Sequence, residues 1–223
     1  MNMEFRFKSD VNIRLRDVDL KGELTMPRNA RALVIFAHGS GSTRKSPRNQ
    51  AVAKRLHDQG FGTLLFDLLT PFEASNYSRR FDIRLLTERL SGATRWAQNH
   101  SSVKDCVIGY FGASTGAASA LKAASFLPQV KAIVSRGGRP DLVMEKLPFV
   151  HAPTLLIVGS LDYDVLRLNQ AAYEKLGGEK DLEIVEGATH LFEELGMMDK
   201  VTALAIKWFA KYLKPVSLAR SSL

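Results

Sequence analysis

The chain has 223 residues, 45% of them hydrophobic, a single cysteine, and a net charge of +8 from 31 basic and 23 acidic residues. That apolar content suffices for one substantial core, and one cysteine excludes an internal disulfide and a cysteine-based zinc site. The basic excess is scattered, with no nucleic-acid motif, aromatic stacking platform or basic amphipathic helix, and no stretch is long enough to cross a bilayer. Neither nucleic acid nor membrane is therefore an expected partner.

The first thirty residues alternate apolar and polar positions, as in Phe5-Arg6-Phe7-Lys8 and Val11-Asn12-Ile13-Arg14-Leu15, which predicts antiparallel edge strands. The start, Met1 to Arg6, lacks the apolar segment of a signal peptide, so cytoplasmic residence is the default expectation. From Arg31 onward, apolar runs alternate with helical patterns. Arg31–Ala37 ends in His38-Gly39-Ser40-Gly41-Ser42, and the amphipathic run Ala51–Gln59 places His57 on a helix surface. A second run, Phe61–Phe66, leads into a loop over Leu68–Ser78 and a helix near Arg80–Gln98.

The next strand, Cys106–Phe111, runs into Gly112-Ala113-Ser114-Thr115-Gly116 and then the small-residue helical pattern Ala117–Leu121. Lys131–Ser135 continues into Arg136-Gly137-Gly138-Arg139, with a short helix expected over Pro140–Lys146. Pro153–Val158 ends in Gly159-Ser160-Leu161-Asp162-Tyr163-Asp164, followed by a helix from Leu166 to Leu176. Asp181–Val185 is followed by Glu186-Gly187-Ala188-Thr189-His190-Leu191-Phe192, and an amphipathic helix spans Asp199 to Leu213. Such alternation predicts one α/β domain over residues 1–223, a parallel sheet with helices on both faces, and a frayed tail over 216–223.

A Gly-x-Ser-x-Gly between a strand and a helix is a nucleophile-elbow arrangement. Its turn is tight enough to strain the serine backbone, and the glycines keep neighbouring side chains from colliding. Ser114 would attack a carbonyl carbon once a base takes its proton. His190 is the candidate base and Asp162 the carboxylate that orients it, each just past a strand end. The chain order serine, aspartate, histidine distinguishes this arrangement from other serine-hydrolase designs. Asp164 competes with Asp162, its structural reading being an N-cap of the following helix; Asp162, nearer the strand end, is preferred. Two backbone N–H donors are needed for the developing oxyanion. Thr115 supplies one and Ser40 the other, with Gly41 as the alternative.

The remaining histidines read as structural. His38 suits a hydrogen bond beside the oxyanion loop, and His100 and His151 are loop residues. Cys106 reads as core. No histidine spacing matches a metal site, so no metal or cofactor is expected. Arg136 and Arg139 follow a strand on the sheet edge where ligands bind in open α/β folds, and either could pair with an anionic substrate; the structural alternative is that Arg139 pairs with Asp141. Phe72 and Tyr77, in the 68–78 loop, could line an acyl pocket or merely pack within the loop.

With these residues assembled, the chain resembles the α/β-hydrolase superfamily over nearly its whole length, and within it the small, lidless dienelactone-hydrolase-like branch. The resemblance rests on His38-Gly39-Ser40-Gly41, Gly112–Gly116, Gly159–Asp162 and Gly187–Phe192. It implies an eight-stranded, mostly parallel sheet, no lid domain, and a triad of Ser114, Asp162 and His190. Dienelactone hydrolases proper carry cysteine where this chain has Ser114. The expectation is a cofactor-free serine hydrolase acting on a small-molecule ester or thioester. The rivals are a non-catalytic binding protein on the same fold and an acyltransferase.

Overall fold

The computed structural model describes residues 4–214. Eight strands form one sheet in the order β1-β2-β4-β3-β5-β6-β7-β8. The strands are β1 (Phe5–Arg14), β2 (Asp19–Pro27), β3 (Ala32–Ala37), β4 (Gly62–Phe66), β5 (Val107–Ala113), β6 (Val130–Arg136), β7 (Thr154–Gly159) and β8 (Lys180–Val185). From β4 to β8 every neighbouring pair is parallel, and the two N-terminal strands are antiparallel additions. The alternating segment thus forms the expected hairpin, but only β1 is an edge. β2 lies inside the sheet, hydrogen-bonded to β1 and β4.

The helices are α1 (Pro47–Asp58), α2 (Pro71–Ser75), α3 (Ile83–Asn99), α4 (Thr115–Ala124), α5 (Tyr163–Lys175) and α6 (Met197–Tyr212). β3 and β7 are buried along their whole length because helices cover both faces, which is why they read as continuous apolar runs. Alternate residues serve different layers. Leu33 and Ile35 join a core with Leu86 and Leu90 of α3, Leu121 of α4 and Ala172 of α5. Val34 and Phe36 face Val52 and Leu56 of α1 and Val201 and Phe209 of α6.

β3 is flanked by β4 on one side and β5 on the other, so the chain reverses its direction of travel across the sheet there. Connections leaving the carboxyl ends of strands at such a point splay apart and open a crevice. The His38–Ser42 loop leaves β3 at this place and the Ser114 elbow leaves β5. Between β6 and β7 only two short 3-10 turns occur, Pro140–Val143 and Leu147–Phe149, in place of the single helix expected over Pro140–Lys146. Pro140 is tolerated at the first position of its turn, but Pro148 lacks an N–H and disfavours helical backbone at Leu147, so no longer helix runs through the segment. Residues 216–223 lie outside the described residues.

Candidate active site

Ser114 occupies the junction of β5 and α4 with φ 50° and ψ −120°. Only one other non-glycine residue among those described has positive φ, namely Phe192 at 56°, two positions after His190. Both are costly conformations for residues with a Cβ, and both flank the same crevice. The flanking glycines are steric necessities. A Cβ on Gly112 would lie 2.5 Å from Ala117 Cα, and one on Gly116 would lie 2.1 Å from the carbonyl oxygen of Ala37. A Cβ on Gly39 would approach Ser114 Cβ at 3.2 Å, so the β3 loop lies directly against the elbow.

Backbone bonds fix the elbow from the other side. Ser114 N–H donates to the Arg136 carbonyl at 3.2 Å, and the Ser114 carbonyl accepts from Arg139 N–H at 3.2 Å. Gly137, between those two arginines, is packed against His190: its Cβ position lies 3.4 Å from His190 Cε1. The loops after β7 and β8 are tied together by Leu161 N–H to the Ala188 carbonyl at 3.0 Å. Gly187 N–H also donates to Ser160 Oγ at 2.9 Å.

This tie delivers His190 to Asp162, whose Oδ2 accepts from His190 Nδ1 at 2.6 Å. A carboxylate can only accept, so the proton of the neutral ring sits on Nδ1 and Nε2 carries the lone pair. Among the described residues, His190 Nε2 makes no hydrogen bond with the Ser114 hydroxyl. The segment after β6 lies against both, through Ser114 backbone bonds to Arg136 and Arg139 and through Gly137 against the His190 ring, and catalytic hydrogen bonds often close only when substrate is present.

Asp164 lies in the first turn of α5, with its exposed carboxylate on Arg167 at 2.5 Å. It is not a cap, contrary to its expected structural role, because the helix starts earlier than predicted and Asp162 itself holds the N-cap position. The N–H groups of Ser40 and Thr115 find no protein acceptor among the described residues, and nor does that of Gly41.

His38 is buried and holds two segments together. Its Nδ1 donates to the Gly39 carbonyl at 3.0 Å while its Nε2 accepts from Leu68 N–H at 3.0 Å. Burial, the dominant influence, lowers its pKa and keeps it neutral. Asp67 anchors the other end of the β3 loop, accepting from Arg44 N–H at 2.7 Å and pairing with the Arg44 guanidinium.

Beside the candidate oxyanion donors lies a cavity of about 100 Å³ walled by Leu69, Ala74, Leu86 and Arg80. Phe72 and Tyr77 are not part of its lining; they are 87% and 71% exposed. The capping box between Thr70 and Glu73 sets α2 so that Ala74 turns inward and Phe72 outward. Tyr77 packs on Phe81, ring centroids 4.9 Å apart. Arg139 is held by Asp141 through two 2.8 Å bonds, whereas Arg136 is buried without a carboxylate.

Away from the site one expectation changes and another is met in part, Cys106 packing against the core without being enclosed by it. His57 is half-buried and bonded to Thr63 Oγ1 at 2.7 Å, because a residue at the edge of an amphipathic face is partly covered by the sheet. Cys106 precedes β5 and is half-buried; burial raises its thiol pKa, which disfavours thiolate.

Comparison with known proteins decides the family. The crystal structure of a dienelactone hydrolase from Anabaena variabilis superposes with a TM-score of 0.90 at 49% identity, covering 93% of this chain and 99% of that one. This chain belongs to the dienelactone-hydrolase-like branch of the α/β-hydrolase superfamily. Residues 89–180 match the family described as BAAT / acyl-CoA thioester hydrolase C terminal. An esterase of Pyrococcus furiosus, 18% identical with a TM-score of 0.74 over 95% of this chain and 94% of its own, shares the fold. A Mycobacterium tuberculosis protein, provisionally named a phosphoribosyl transferase, is 50% identical over 205 residues, which are 92% of this chain. The match spans 46% of that relative, so the chain covers about half the length of the curated relatives it matches. Among the described residues no helix is long and apolar enough to cross a membrane.

Proposed function

We propose that this dienelactone-hydrolase-like chain is a serine hydrolase that cleaves a small carboxylic ester or thioester. Ser114 is the nucleophile, His190 the base and Asp162 the orienting carboxylate. The observation that carries this reading is the 2.6 Å bond from His190 Nδ1 to Asp162, with the His190 ring packed on the Arg136–Arg139 segment that also holds the strained serine. That bond leaves Nε2 as the one ring nitrogen able to take a proton.

In the first half-reaction Ser114 Oγ bonds to the carbonyl carbon as its proton passes to His190 Nε2. The negative charge on the carbonyl oxygen is met by the N–H groups of Thr115 and Ser40. The bond to the leaving oxygen or sulfur then breaks, and that atom takes the proton from His190. A water molecule gives a proton to the same imidazole as its oxygen bonds to the acyl carbon; the bond to Ser114 Oγ then breaks, Oγ takes the proton back from His190, and the acid is released. The acyl part lies over the cavity beside Ser40 and Thr115, whose apolar walls suit a short chain. A strained serine beside an imidazole held by a carboxylate favours this reading over a non-catalytic binding protein, which needs neither.

A fluorophosphonate probe tests the proposal. It should label the wild type and the Cys106→Ala variant equally and leave Ser114→Ala unlabelled. Full labelling of Ser114→Ala would remove the nucleophile assignment. A panel of acyl esters and thioesters then ranks acyl length and leaving group.

A further inference from the structure

A buried arginine normally carries its counter-charge with it, because removing a guanidinium from water is costly unless a carboxylate replaces the lost hydration. Arg89 obeys this: its guanidinium donates to Asp17 and to Glu73, both at 2.9 Å. Arg136 does not. It is only 7% exposed, yet its guanidinium has no ion pair or hydrogen bond among the described residues, and Nε is wholly buried without a partner. Its one described neighbour of suitable chemistry is the face of Phe192, 5.8 Å from Cζ. A second cation, Arg48 at the start of α1, is close enough to disfavour its charge further.

Neither acid that follows Phe192 pairs with Arg136, although Glu194 Oε2 is buried without a partner. Glu193 pairs with Arg48, and Glu194 turns back to accept from Thr189 N–H at 3.1 Å. Arg48 Nε is itself buried without a partner, and the first turn of α1 holds no acidic residue.

The position of this unneutralised charge gives it a meaning. Phe192 is two residues beyond His190, and Gly137, next to Arg136, is in contact with the His190 ring. On the hydrolase reading above, on which this inference rests, the imidazole returns its proton to the departing atom. The leaving group therefore lies on the His190 side and the acyl group on the Ser40 side.

We propose that Arg136 is a seat for an anionic leaving group: an alcohol or thiol bearing a carboxylate or phosphate. Guanidinium geometry suits either anion. Arg139, already neutralised by Asp141, takes no part.

Three acetyl esters that differ only in the leaving phenol test this: 3-acetoxyphenyl phosphate, 3-acetoxybenzoate and 3-acetoxybenzamide. The wild type should favour one or both anions over the neutral amide by about tenfold or more in kcat/KM, the preference residing in KM. In Arg136→Gln the anionic-to-neutral ratio should collapse to about one. Preference for the phosphate alone identifies a phosphate seat, and equal preference for both identifies a general anion seat. A wild-type ratio near one, or equal losses on all three esters in Arg136→Gln, overturns the proposal.

Should Arg136→Gln fail to fold, Arg136→Lys, which keeps a charge but not the two-pronged donor geometry, must lower the ratio severalfold; an unchanged ratio is equally fatal. Titration of Ser114→Ala with the product 3-hydroxyphenyl phosphate, against 3-hydroxybenzamide, reads the seat without catalysis, and equal affinity for the two overturns it. Failure of fluorophosphonate labelling would strike the hydrolase reading. Labelling without anion preference would strike this one alone.

Discussion

Asp162 occupies the N-cap position of α5 and yet gives its carboxylate to His190 rather than to the helix. An aspartate at that position ordinarily accepts from the N–H groups of the first turn. Here the helix start serves instead to position the carboxylate. Asp162→Asn should therefore lower kcat by about four orders of magnitude, since an amide can donate to the imidazole and favour the wrong tautomer. Asp164→Asn, which disturbs only an exposed pair with Arg167, should change Tm by no more than about 2 °C and leave kcat within about twofold. Steady-state kinetics on both variants check this, and the reverse ranking would mean that Asp164 is the functional acid.

The elbow separates two ways in which a glycine can be required. Gly116→Ala meets the carbonyl oxygens of Ala37 and His38 at 2.1 and 2.4 Å, so either β3 or α4 must shift. We expect a loss of about 3 kcal/mol or more, roughly 6 °C in Tm. Gly60→Ala has φ of +79° but nothing within 4 Å, and should cost about 1 kcal/mol through backbone strain alone. Thermal melts of the two variants distinguish collision from strain.

Acid should destabilise the fold through His57. Burial, reinforced by Lys8 and opposed by Asp58, lowers its pKa from 6.5 to about 4. The unfolded chain therefore binds the proton first, and stability that is complete above pH 6.5 declines as pH falls toward 4. Melts of His57→Gln between those pH values should show a shallower fall than the wild type. His38, also held down by burial, accounts for part of the slope that remains. An unchanged slope in His57→Gln would show that His57 is not held neutral in the fold.

Arg89 joins three parts of the structure, with one guanidinium nitrogen on Asp17 between β1 and β2 and another on Glu73 of α2. Lysine offers a single point charge in place of a fork. Arg89→Lys should retain part of the stability and Arg89→Met should lose about 3 kcal/mol, because the half-buried Glu73 is left without its cation. Since Ala74 follows Glu73 into the cavity wall, KM should rise in both variants in the order Lys, then Met. Melting and acyl-ester kinetics on the same preparations test both halves.

Some of these features are legible in the sequence and others are not, for physical reasons. The strand ends were readable because β3, β5 and β7 are buried on both faces and end in glycine-containing loops. The sequence alone places the start of α5 too late, because Tyr163 carries no mark of a helix start and Asp164 has the chemistry of a cap. The outward direction of Phe72 depends on a capping box that orients five residues as a unit; aromatic character alone does not reveal it. The cavity walls Leu69, Arg80 and Leu86 come from three separate segments, and only the return of α3 across the sheet brings them together. Arg48 was invisible for the same reason, lying 145 positions from Glu193, with which it pairs. Asp67, directly after an apolar strand, was the one missed residue with a local signal: an acid where a strand meets the crevice.

The two outer strands have a consequence for association. β1 carries Arg6, Lys8, Asp10 and Arg14 along its length, and β8 carries Lys180, Asp181 and Glu183. An edge strand offers an unpaired row of backbone donors and acceptors to any passing strand, and charged side chains make that docking unfavourable. Both margins of this sheet are guarded in that way. Copies of the domain are thereby discouraged from continuing one another's sheet, and crowding at high concentration should meet repulsion at the borders before it meets complementarity.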